Sequence, residues 1–200
     1  YFFSGGKGQY LVKNKKMTAP SFDSFGWLWV AESDGAVRAY NAASTNEKER
    51  SKGIEIPVSW RSGMTFSSLR ISHDGARVVV VGTRDGTAAV VMSGVVRDSS
   101  GTPKGFTEPV RVTSSITPRT AVWAGEQNLV VVNDKTGESE VTTLSGEETK
   151  FDRLDGVKSV SAAGNTSNML AHRSDGSCYV LEERGWNRLN TSTREMSFAG

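Results

Sequence analysis

Ser72-His73-Asp74-Gly75-Ala76-Arg77-Val78-Val79-Val80-Val81, closed four residues later by Asp85-Gly86, is one copy of a pattern that runs four times along the chain. Before it stands Phe22-Asp23-Ser24-Phe25-Gly26-Trp27-Leu28-Trp29-Val30 with a turn at Asp34-Gly35. After it come Trp123-Ala124-Gly125-Glu126-Gln127-Asn128-Leu129-Val130-Val131-Val132, turning at Thr136-Gly137, and Ala163-Gly164-Asn165-Thr166-Ser167-Asn168-Met169-Leu170-Ala171, turning at Asp175-Gly176. Each copy is a turn, an apolar β-prone run and a second, glycine-bearing turn, the signature of consecutive β-hairpins. The second-turn glycines fall at 35, 86, 137 and 176, so the steps are 51, 51 and 39 residues.

Periods of that length, with about four strands each, are those of β-propeller blades, in which neighbouring sheets must stack because one sheet cannot bury both of its faces alone. The valine runs agree, since a strand covered on both sides need not alternate with polar residues. Strands are expected near residues 21–24, 27–31, 36–41 and 54–59 in the first repeat, and 66–72, 76–82, 87–96 and 107–113 in the second. The third is expected at 120–123, 128–133, 139–144 and 149–154, and the fourth at 157–162, 168–172, 177–182 and 186–189. Residues 42–52 and 98–105 read as loops, the first too polar to pack and the second too rich in turn formers to be regular. Ahead of the repeats, two short runs around Gly5-Gly6-Lys7-Gly8 read as a hairpin left over from a blade that begins upstream. The fold class is therefore all-β, a propeller of about five blades if the tail near Arg194 to Phe198 completes that hairpin, or four full repeats plus the hairpin. Residues 1–200 read as one domain, cut from a longer protein.

Composition bounds the function. The chain has 24 basic and 22 acidic residues and a net charge of +2, with its cations scattered rather than gathered into the basic stripe that nucleic acid needs. The longest apolar runs are far too short to span a bilayer. A single cysteine, Cys178, permits neither an internal disulfide nor a cysteine metal cluster, and in its strand-like run it reads as an inert buried thiol.

Taken together, Thr18-Ala19-Pro20-Ser21-Phe22-Asp23-Ser24-Phe25-Gly26-Trp27-Leu28-Trp29-Val30, Leu69-Arg70-Ile71-Ser72-His73-Asp74-Gly75-Ala76-Arg77-Val78-Val79-Val80-Val81 and Ala121-Val122-Trp123-Ala124-Gly125-Glu126-Gln127-Asn128-Leu129 resemble the C-terminal propeller domain of the actinobacterial LpqB-type lipoproteins. Val95-Val96-Arg97-Asp98 and Gly101-Thr102-Pro103 extend the likeness, which covers about residues 15 to 190. The Ser-His-Asp-Gly turn is also similar to the Ser-Pro-Asp-Gly turn of TolB-type propellers, with His73 in place of the proline. The resemblance implies an N-terminal lipid anchor and sporulation-type domains, neither present in this chain, and a place outside the cytoplasmic membrane. It further implies a link to the MtrA and MtrB two-component system, with the sensor kinase's extracytoplasmic domain as partner. It carries no catalytic or ligand-binding residues over.

The residues themselves offer little chemistry. Asp34, Asp85 and Asp175 precede hairpin glycines, where Asp-Gly is favoured because both central positions of a tight turn need positive φ. His73 and His172 are the only histidines and lack metal-ligand spacing, so no metal and no cofactor are expected. Glu147-Glu148 and Glu182-Glu183 read as solvated charge guarding sheet edges. The innermost strands offer Ser67, Ser68, Thr120, Ser159 and Ser161 without an acid or histidine beside them, no Gly-x-Ser-x-Gly elbow occurs, and Gly5-Gly6-Lys7-Gly8 lacks the phosphate-loop spacing. Trp27, Trp29 and Trp123 read as core. Trp60 beside Arg61, and Trp186 beside Arg188, are the candidate partner contacts, because aromatic and arginine side chains carry most interface energy. The expected function is a non-enzymatic interaction module; the alternative is a carbohydrate-binding or hydrolytic propeller completed by residues outside this chain.

Overall fold

The computed structural model describes residues 2–4, 7–9, 16–32, 35–59, 63–144, 153–162, 169–182 and 185–189. Four antiparallel sheets follow one another in chain order, with strands laid side by side in sequence except that the last strand of the second sheet pairs with its third. The first holds β3 (Ser21–Phe22), β4 (Trp27–Ala31), β5 (Val37–Asn41) and β6 (Ile54–Ile56), after a separate hairpin of β1 (Phe2–Ser4) and β2 (Lys7–Gln9). The second holds β7 (Thr65–Ile71), β8 (Arg77–Arg84), β9 (Thr87–Arg97), β10 (Pro103–Phe106) and β11 (Val110–Val112). The third holds β12 (Thr120–Ala124), β13 (Asn128–Asn133) and β14 (Glu138–Thr143), with Arg153 bridged to Glu140 beyond β14. The fourth holds β15 (Val157–Ala162), β16 (Met169–Arg173), β17 (Cys178–Glu182) and β18 (Gly185–Arg188). First strands lie against first strands, β3 on β7, β7 on β12 and β12 on β15, which is the inner ring of a β-propeller.

The valine run shows why the blades stack. Val78, Val79, Val80 and Val81 are all fully buried, yet successive side chains point to opposite faces of β8. Val78 and Val80 join Trp29, Val37 and Leu69 between the first and second blades, while Val79 and Val81 join Val112, Trp123 and Leu129 between the second and third. In β13 the division repeats: Leu129 and Val131 face the second blade, Val130 and Val132 face the fourth, where they meet Met169 and Leu181. Each such side chain contributes about 1.5–3 kcal/mol of burial, and the two-sided strand uses every residue for it.

The second turns bear out the glycines but narrow the reason. Among the described residues, only Asp85-Gly86 is a two-residue turn with both φ values positive, 50° and 76°. Asp175 instead accepts hydrogen bonds on Oδ1 from the Ser177 amide (2.9 Å) and hydroxyl (2.5 Å), so its Asp-Gly pair is an Asx turn in which Gly176 alone is left-handed. Three expectations are corrected. Residues 47–51 form a short helix, α1 (Glu47–Ser51), not a loop: the Asn46 side chain caps the Lys48 amide and Glu49 takes the Ser44 hydroxyl, although the helix buries nothing. Residues 103–106 are strand β10, not loop, because Asp98 folds the turn from Ser100 to Thr102 onto its own Oδ1 and sends the chain back along β9. Cys178 is half-buried rather than buried, since it faces away from the third blade. The expected strand at 149–154 lies mostly outside the described residues, as do Asp34, Glu147, Glu148, Glu183, the turn at 163–168 and the tail at 194–198 with its proposed ring closure.

Candidate functional site

Where the four inner strands converge there is a cavity of about 430 Å³, open to solvent and lined from all four blades, among others by Ser21, Phe22, Arg70, His73, Trp123 and Ser161. These residues sit at the strand ends that lead into the first turn of each blade. Antiparallel strands put first and second turns at opposite ends, so the opening lies on the rim away from the Asp85-Gly86 and Asp175-Gly176 hairpins.

The wall is fixed by cross-blade hydrogen bonds. The Ser21 hydroxyl accepts the Ile71 amide (2.9 Å), tying β3 to β7, and the Trp123 indole N–H donates to the Arg70 carbonyl (3.0 Å), tying β7 to β12. Leu69 and Ile71 point into the core between blades one and two, which turns Arg70 to the other side. Its Nη1 donates to the carbonyl oxygens of Pro20 (3.1 Å) and Ala19 (3.5 Å). No carboxylate meets it among the described residues, and burial pushes its pKa down. Phe22 stands at the lip, 58% exposed.

Two polar clusters flank this opening. Asp23, in the first turn of blade one, has a carboxylate with no exposed surface that accepts the amides of Phe25 (2.9 Å) and Trp27 (3.0 Å), the Trp29 indole N–H (3.0 Å) and Arg97 Nη2 (2.7 Å). Arg97 comes from the end of β9 and lies over the Phe25 ring at 4.7 Å, so the second blade clasps the first. Phe106 of β10 completes the clasp against Trp29, with ring centroids 5.9 Å apart. On the next pair of first turns, Glu126 of blade three accepts the Asp74 amide (3.2 Å) and the two carboxyls face each other. Burial, then the hydrogen bond and charge of Asp74, push Glu126 above its ordinary value. Burial of Asp74 works upward too, but the Ser72 hydroxyl, the Ala76 amide and Glu126 outweigh it and hold Asp74 low. The second oxygen of Glu126 is buried without a hydrogen-bond partner among the described residues.

Of the four expected partner contacts, Trp186 and Arg188 are among the described residues. Trp60 and Arg61 lie outside the described residues, and the strand they precede, β7, starts at the end away from the cavity. Trp186 is half-buried on the outermost strand of blade four, packed against the core between blades three and four, with its indole N–H unpartnered; Arg188 is exposed on the same strand. Of the expected inner-strand hydroxyls, Ser161 lines the cavity together with Ser21, Ser68 is buried, and Ser67 donates to the carbonyls of Arg119 (2.7 Å) and Val81 (3.3 Å). Among the described residues no group of histidine, cysteine and carboxylate side chains is placed to hold a metal. Arg70 and the cavity side of His73 are what sequence reasoning missed. The signal was present in Leu69-Arg70-Ile71, a cation alternating with core residues on an inner strand.

A family model described as the lipoprotein LpqB beta-propeller domain matches residues 3–196. Lipoprotein LpqB of Streptomyces avermitilis is 27% identical over 131 residues, covering 63% of this chain and 21% of that protein, so the chain spans about a fifth of the relative's length. Among solved structures, the crystal structure of the C-terminal WD40 domain of Sif2 superposes with a TM-score of 0.54 at 14% identity, covering 92% of this chain and 48% of that one, a likeness of fold.

Proposed function

From the chain's membership of the lipoprotein LpqB β-propeller family, we propose that it is a non-enzymatic protein-interaction module, held at the outer face of the cell membrane by a lipid anchor elsewhere in its parent protein. Its partner is the extracytoplasmic domain of an MtrB-like sensor kinase, whose signalling the lipoprotein modulates. The observation that carries this reading is the make-up of the axial mouth: an arginine, a histidine and an exposed phenylalanine, with no carboxylate pair and no nucleophile beside a base among the described residues that line it. An acid-base or covalent mechanism needs such a pair within hydrogen-bond reach, whereas an aromatic and an arginine on a rigid rim are what partner recognition uses. Blade faces are consumed by stacking, so the rims are what a propeller has left to offer.

The test is binding of the purified kinase domain to the immobilised chain, with Phe22→Ala as the variant. Phe22 is exposed and outside the core, so folding is retained, and affinity is expected to fall roughly thirtyfold, the loss of a hot spot of about 2 kcal/mol. The double variant Trp60→Ala, Arg61→Ala is expected to keep wild-type affinity; the reverse pattern moves the contact from the axial mouth to those two residues. Absence of binding by the wild type removes the partner. Turnover of esterase, phosphatase, peptidase or glycosidase reporters removes the non-enzymatic reading.

A further inference from the structure

We infer that the axial cavity takes an extended acidic segment of the partner polypeptide, with one aspartate or glutamate side chain seated on Arg70. The inference rests on the interaction reading above and names the chemistry that the mouth selects. A half-buried guanidinium without a counter-charge is an unfinished arrangement, because charge withdrawn from water is ordinarily paired. Arg70 spends Nη1 on the Pro20 and Ala19 carbonyls, which hold the group in place. Nε and Nη2 make no hydrogen bond among the described residues, and these two donors lie on one side of the planar fork, the pair that a carboxylate engages with both oxygens. The described residues lining the cavity include no carboxylate to compete. Asp74 and Glu126, on the turns beside it, do not line it and are occupied by the Ser72 hydroxyl, the Ala76 amide and each other.

Three features favour a peptide carboxylate over a phosphate or a free small acid. Phosphate sites gather several cations or a cluster of backbone N–H groups, and only one arginine is present. The cavity is walled by β3, β7, β12 and β15, each the terminal strand of its sheet, and apart from the Ile71 amide and the Arg70 carbonyl, which Ser21 and Trp123 take, such edges hydrogen-bond extended chain. The lip offers the exposed Phe22 ring, and the Trp123 ring is pinned in the wall by its bond to the Arg70 carbonyl. Together they give apolar contact on either side of the charged seat.

The experiment selects a displayed random-peptide library on the full 200-residue chain, with counter-selection on Arg70→Gln. Circular dichroism and the melting temperature establish that the variant is folded, and Arg70→Lys keeps the charge without the fork. Enriched peptides are expected to share one acidic position, to bind wild type at least tenfold more tightly than Arg70→Gln, and to lose the same factor when that acid is replaced by its amide. The two losses should not add, and Arg70→Lys should fall between. Peptides enriched without an acid, equal affinity for Arg70→Gln, absence of enrichment, or equal affinity for free glutarate would each overturn the inference. The kinase domain measured in parallel separates the two readings. Unchanged binding to Arg70→Gln removes the seat and leaves the partner, whereas absence of binding to wild type removes the partner while the peptide result decides the seat.

Discussion

Asp23 of the first blade has a carboxylate with no exposed surface, and four donors converge on it from two blades. Removing either partner of such a buried pair leaves a charge without compensation, but the two removals are unequal. Arg97→Ala leaves the Asp23 carboxylate with three N–H donors and should cost about 3 kcal/mol in urea unfolding; Asp23→Ala strands the guanidinium over two aromatic rings, frees three donors and should cost about 5 kcal/mol. Equal losses, or losses below about 1 kcal/mol, would show that the pair is ornamental. Gly75 belongs to the same clasp: its φ is +69° and an added Cβ would lie 2.8 Å from Arg97 Nη2 and 2.9 Å from Phe25 Cδ2, so Gly75→Ala should destabilise as well. None of this was legible from sequence. Asp23 reads locally as a turn residue, and its partner lies 74 positions away with no signature of its own.

Elements were far more legible than contacts, and the two that escaped show why. The strands announce themselves by apolar runs between turn formers, which is local information. Helix α1 was discounted for lacking an apolar face, yet Asn46 followed by Glu49 is a capping pattern able to hold one turn in water. Strand β10 was discounted for its turn residues, although Pro103 is only its first residue, where a ladder tolerates proline. The first turns of blades two and three carry a consequence for pH. Glu126, raised above its ordinary 4.5, contributes stability fully below that value and loses it as pH rises through its folded pKa; Asp74, held below 3.8, contributes above that value and loses it as pH falls through its folded pKa. The junction is therefore best joined in weak acid, with one proton on the pair, and Arg77 moderates the repulsion above it. Glu126→Gln, neutral at every pH, should match wild type in weak acid and exceed it at neutral pH. Superimposable stability profiles of the two proteins across that range would exclude a shared proton.

At the scale of the molecule, stability is a chain of sheet-to-sheet interfaces, and blades with two neighbours differ from a blade with one. Blade two is covered on both faces, so Val78 to Val81 have no exposed surface, and the same holds for Leu129, Val130 and Val131 of blade three. Blade four packs Val157, Met169, Ala171 and Leu181 against blade three, while on its other face Val180 is half-buried and Leu170 and Cys178 remain half-buried around a cavity of about 170 Å³. Opening blade four thus breaks one interface, whereas opening blade two breaks two. Local opening free energies scale with the apolar contacts broken, so native-state hydrogen exchange should divide the strands. Amides of β8 and β13 should exchange only through global unfolding. Those of β16 and β17 should exchange through a smaller opening at least about 1 kcal/mol lower in free energy, with a weaker urea dependence because less surface is exposed. The lone Cys178 gives an independent reading: its labelling by a thiol reagent, beyond the rate in the closed state, should rise at urea concentrations where the buried Trp29 still fluoresces as native. If β16 and β17 instead exchange with the global free energy, and Cys178 labels only as Trp29 unfolds, the open face of blade four is covered in solution and the array behaves as one closed cooperative ring.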